Sequence, residues 1–145
     1  VSKDGGSADA GLAERTRSGP GRLLVAGYAL LGIAATSRSI VQISQSFDEA
    51  PLAYTLSAVA AALYLVITAC LLVGSRRARA IVRGLLVVEL GGVLVVGIAT
   101  VIDSDAFPDQ TVWSYFGAGY LLIPLILPIL GLLWLRRTER PAAGV

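Results

Sequence analysis

The sequence contains no histidine, no methionine and one cysteine, Cys70. Without histidine, the commonest protein ligand for haem, copper and zinc is missing. A lone cysteine forms neither an internal disulfide nor a multi-thiolate metal site. Catalysis by a histidine base, including the Ser-His-Asp form, is excluded. Cys70 sits in the apolar stretch ACLLV, where a thiol acts as a small hydrophobe. Charge is also scarce. Charged residues make up 15% of the chain and hydrophobic residues 55%, against about 25% and about 45–50% in a soluble domain. These observations leave no cofactor and no metal to expect, and no catalytic constellation.

What the chain does have is long apolar runs. A run of about 20 apolar residues crosses a bilayer core of about 30 Å, and four segments qualify: Leu23 to Ile43, Leu52 to Val73, Ile81 to Ile102 and Val112 to Leu135. Membrane strands would instead show alternating stretches of about 10 residues. The expected fold is all-α, a four-helix transmembrane bundle over residues 21–137. Residues 1–20, rich in Gly, Ser, Ala and charge, read as a flexible tail, and 138–145 as a second short one.

Charge sets the orientation. Of the twelve Lys and Arg residues, all but Arg38 fall in the N-terminal segment, around the connection between spans two and three, or after span four. Four spans put all of these on one side. The other side receives Asp48, Glu49, Asp103, Asp105 and Asp109. The positive-inside rule then places both termini in the cytoplasm, in a bacterial plasma membrane. Reading span one as a cleaved signal peptide is the alternative. Its apolar stretch has the length, but 22 residues precede it, and cleavage would break the charge pattern. Trp113 and Trp134 bracket span four as expected interfacial anchors.

Lipid gives no hydrophobic drive for helix association, so close packing relies on small residues. Ser57 and Ala61, Gly91 and Gly92, and Gly32 and Thr36 supply them. They suit packing within one bundle and also an oligomer. Pro124 and Pro128 fall inside span four, where each removes a backbone hydrogen bond and should kink the helix.

Glu89 lies within LLVVELGGVLVVG. A charge at mid-membrane costs about 2.5–3.5 kcal/mol on insertion scales. A glutamate reduces this by binding a proton or accepting hydrogen bonds. It follows Arg83 by six residues, about 9 Å of rise. Tyr28, Thr68 and Pro128 reach a similar depth from the other three spans. The expectation is a buried polar network of Glu89, Tyr28, Thr68 and the weakened helix beside Pro128. Its plain role is to hold the bundle together; its sharper role is a proton or cation relay. Arg83 is a competing partner but can reach the cytoplasmic surface. Arg38 lies about 22 Å above Leu23. It is expected in an outer polar cluster with Asp48, Glu49, Asp103, Asp105 and Asp109, either as an anchor with an ion pair or as part of a small outward pocket.

The stretch DAFPDQTVWSYFGAGYLLIPLILPILGLLWLRR resembles the small four-helix integral membrane proteins common in high-GC bacteria. The resemblance implies the architecture and carries no activity. The expected function is a small accessory or scaffold subunit of a larger membrane complex. The alternatives are an oligomeric proton- or cation-coupled transport protein using Glu89, and, last, an intramembrane enzyme. Expected partners are the bilayer, anionic lipid headgroups at the basic rim, and a membrane protein or further copies of the chain. No basic groove-fitting helix or aromatic platform points to nucleic acid.

Overall fold

The computed structural model describes residues 19–139, together with residues 6, 7, 10 and 11. The two expected tails lie almost wholly outside the described residues. Within residues 19–139 the described chain forms four α-helices: α1 Pro20–Ser46, α2 Pro51–Val73, α3 Arg76–Ile102 and α4 Ile123–Glu139. α1, α2 and α3 are long and apolar enough to cross a membrane. α1 packs on α2, α2 on α3, α3 on α4, and α4 closes back on α1.

Local chemistry sets the ends. Proline opens α1 and α2, where its missing N–H is not needed. α2 ends at Gly74, whose φ of 70° lets its N–H reach Cys70 O at 3.1 Å. Ser75 then caps α3 by accepting from the Ala78 N–H at 3.1 Å.

The fourth span departs from expectation. It is not one helix from Val112 to Leu135. Ser114–Tyr120 is a 3-10 segment with left-handed residues at Tyr115, Phe116 and Gly117, and it meets α4 at 97°. The bend falls at Leu121 and Leu122, both with positive φ, and not at Pro128. Pro124 explains where the helix starts. Its ring would clash with a preceding helical turn, so it sits in the first turn of α4 instead. Only Pro128 lies inside the helix.

The buried side of α3 runs Val82, Leu86, Glu89, Val93, Val96 and Thr100, alternating four and three residues apart. Its outer side, with Val87, Val88, Val95, Ile98 and Val101 exposed, is equally apolar. A helix apolar all round suits lipid on one side and protein on the other. The basic ends of the helices share one end of the bundle. Arg83 on α3 pairs with Glu139 on α4. Arg79 donates to Thr138 Oγ1 at 2.8 Å, with its guanidinium 4.7 Å from the centre of the Trp134 ring. Pro20 and Leu23 of α1 share a groove with Trp134 and Arg137.

Candidate functional site

Glu89 is fully buried at the centre of the α3 seam. The Tyr28 hydroxyl on α1 donates to its Oε2 at 2.7 Å. Its other oxygen, Oε1, is buried with no hydrogen-bond partner among the described residues. The ring of Tyr28 lies 6.0 Å from that of Tyr64 on α2, tilted by 47°. The Tyr64 hydroxyl in turn accepts from the indole N–H of Trp113 at 2.9 Å. All three of these aromatic residues are buried.

Two expected members do not join. The Thr68 hydroxyl donates to the Tyr64 carbonyl of its own helix at 2.8 Å, the usual alternative for a helical threonine. Pro128 is buried on α4, but no hydrogen bond links its neighbourhood to Glu89. Arg83 is engaged by Glu139. Sequence reasoning missed Tyr64 and Trp113. Tyr64 was legible as a polar-tipped ring one turn above Thr68. Trp113 was read as an interfacial anchor, yet it is only 4% exposed and turns into the bundle.

Trp113 turns inward because the segment around it folds back against α3. A Cβ on Gly92 would lie 2.7 Å from the Trp113 ring, so only glycine leaves room. Gly97 gives the same room to Phe116. Gly117, at φ 80°, holds the Pro124 ring where its own Cβ would be. Non-helical backbone at membrane depth needs other partners for its N–H groups, and hydroxyls provide them. Ser57 Oγ on α2 accepts from Val112 at 3.3 Å, and Thr100 Oγ1 on α3 accepts from Tyr115 at 2.9 Å. Ser114 Oγ accepts from Thr111 at 2.8 Å, and Thr111 Oγ1 from Trp113 at 3.0 Å. The result is a plug in the half of the bundle away from the basic helix ends, with Trp113 at its inner tip.

The outer cluster is smaller than expected. Arg38 donates to the Gln110 carbonyl at 2.9 Å and lies 3.8 Å from Asp109 Oδ1. Gln42 donates to Asp109 Oδ2 at 3.1 Å. Asp103 instead caps the short turn Ser104–Ala106 by accepting from the Ala106 N–H. Asp48, Glu49 and Asp105 are exposed and make no hydrogen bond or ion pair within the described residues. Asp109 also lines a polar recess of about 340 Å³ with Thr100, Ser104, Ser114 and Tyr115, above the plug. Among the described residues no three metal-ligating side chains come together.

Glu89 has one oxygen held by a phenol and one free to carry a proton. Tyr64 and Trp113 connect that level to the plug. Compared with known protein families, with curated proteins and with solved structures, the chain matches none.

Proposed function

We propose that this is a multi-pass protein of a bacterial cytoplasmic membrane, its basic helix ends inside, and that it works in proton-coupled transport. Glu89 carries the proton, and the plug of the broken fourth span is the part that moves. Sequence alone favours an accessory subunit. The Oε1 atom of Glu89, sealed without a partner beneath a discontinuous span, shifts the balance. An ionisable group at membrane depth marks a functional site by default, and broken helices recur where transporters bind their cargo. The bundle as it stands is an occluded state, with Trp113 closing the outer side.

The test is proton flux into liposomes holding the purified chain. The reading requires flux above empty liposomes that is lost in Glu89→Gln. Flux equal to that of empty liposomes, across both signs of imposed gradient, overturns it.

A second reading has its own support. Tyr28–Glu89, Trp113–Tyr64, Val112–Ser57 and Tyr115–Thr100 all join different elements. That is how a scaffold subunit would spend its polar groups. A larger membrane protein recovered in stoichiometric amount from native membranes, together with absent flux, supports this second reading.

A further inference from the structure

A different face of the bundle carries an inference that does not depend on Glu89. α1 and α4 form the loosest of the four helix seams. At the basic end a groove of about 280 Å³ opens between them. Leu23 and Leu24 of α1 and Leu130, Leu133 and Trp134 of α4 wall it, and Arg137 is its one charged side chain. Leu23, Leu130 and Leu133 are exposed, so the walls present leucine surface. The deep end stops at Leu127, which packs over Gly27, where a Cβ would lie 3.1 Å from Leu127 Cδ1. From Leu127 to Arg137 is ten residues, about 15 Å of helix rise. That is half of a core of about 30 Å, the depth of one leaflet.

We propose that this groove holds an acyl chain of one anionic phospholipid, from the leaflet at the basic helix ends, with the lipid phosphate on Arg137. Length and charge select that occupant. The groove spans one leaflet, as an acyl chain does, whereas a docking helix would run through the whole core. Its walls are apolar along the path of the chain, and a cation stands at the level of the headgroup. Arg137 is exposed and makes no ion pair among the described residues. Glu139, the one described acid at this end, is engaged by Arg83. A guanidinium matches a phosphate with two parallel hydrogen bonds. An anionic lipid brings that phosphate without the ammonium that Arg136 and Arg137 would repel. A second copy inserted the same way would bring its own basic end against Arg137.

The experiment uses the full chain in phosphatidylcholine liposomes, with Trp113→Phe leaving Trp134 as the one tryptophan. Bromine on an acyl chain quenches an indole that it touches. Dibrominated phosphatidylglycerol is compared with dibrominated phosphatidylcholine in equal amounts. The anionic lipid is expected to reach Trp134 with a preference of about fivefold, the equivalent of about 1 kcal/mol for a basic residue near the surface. Arg137→Gln should remove most of that preference. Arg136→Gln should leave most of it, because Arg136 does not line the groove. Independently of the Trp113→Phe background, native mass spectrometry of the reconstituted wild type should show one phosphatidylglycerol retained per chain, and Arg137→Gln should lose it. Equal quenching by the two lipids overturns the proposal, since bulk lipid then fills the groove. So does an equal loss in Arg136→Gln and Arg137→Gln, the mark of a diffuse basic rim. Quenching by neither lipid overturns it as well, because the groove is then covered by protein. A wild type that retains no phosphatidylglycerol has the same force.

Discussion

The Tyr28 hydroxyl donates to Glu89 Oε2 at 2.7 Å, and it is the carboxylate's one hydrogen bond among the described residues. It joins α1 to α3 across the core. In membrane bundles such a bond contributes about 0.6 kcal/mol on average and up to about 1.7. Tyr28→Phe should therefore destabilise the protein by about 1 kcal/mol. Glu89→Leu removes an unsatisfied buried oxygen as well as the bond, so it should cost no more than Tyr28→Phe. The double variant should lie closer to wild type than the summed single changes predict. A double-mutant cycle on unfolding in mixed micelles measures this, and strict additivity would sink the pairing.

Adjacent glycines should respond in opposite ways. A Cβ on Gly91 meets nothing within 4 Å, whereas one on Gly92 would press on the Trp113 ring at 2.7 Å. Gly91→Ala should be neutral or stabilising by up to about 1 kcal/mol through helix propensity. Gly92→Ala should be destabilising by about 1–3 kcal/mol through overpacking. It should also loosen the plug, raising quenching of Trp113 by acrylamide in a Trp134→Phe background. Equal behaviour of the two variants would show that the ring does not rest on α3.

How much of this was legible varied with the physics of each element. Spans one to three read directly, because only lipid demands such long apolar runs. The same demand hid the packing. On α3 the buried Val93 and the exposed Val95 are chemically alike, so hydropathy could not say which face met protein. The meeting of Tyr28 with Glu89 was legible because polar groups at one depth are few. Thr68 was over-read, since a helical threonine can satisfy itself. The break in span four was hidden because its residues are apolar whether helical or not. Its signal was Gly117 and Gly119 ahead of Pro124, which marks a helix start as well as a kink.

The plug makes a further pair of variants informative. Thr100 Oγ1 accepts from the Tyr115 N–H and donates back to the Val96 or Gly97 carbonyl of its own helix. Thr68 only bonds its own helix. Thr100→Val takes the partner from the part-buried Tyr115 N–H, which costs about 1 kcal/mol. Thr68→Val leaves no new orphan donor and should change stability by less than about 0.5 kcal/mol. Thermal unfolding in detergent distinguishes them. Hydrogen exchange at Tyr115 should rise in Thr100→Val alone. Unchanged exchange there would mean that the hydroxyl does not hold the segment in place.

Orientation can be tested without reference to function. Arg83–Glu139 and Arg79–Thr138 place the basic ends of α3 and α4 together, and Asp103 and Asp109 lie beyond the opposite end of α3. In the proposed orientation, which follows the positive-inside rule, the first group faces the cytoplasm. Ala80 and Ser104 are exposed at the two ends, so each can carry a probe cysteine in a Cys70→Ser background. In intact cells a membrane-impermeant thiol reagent should label Ser104→Cys and leave Ala80→Cys unlabelled until the cells are opened. The reverse pattern would invert the protein, placing the polar recess at Asp109 in the cytoplasm. Labelling of both would mean that α3, which lies between the two probes, does not cross.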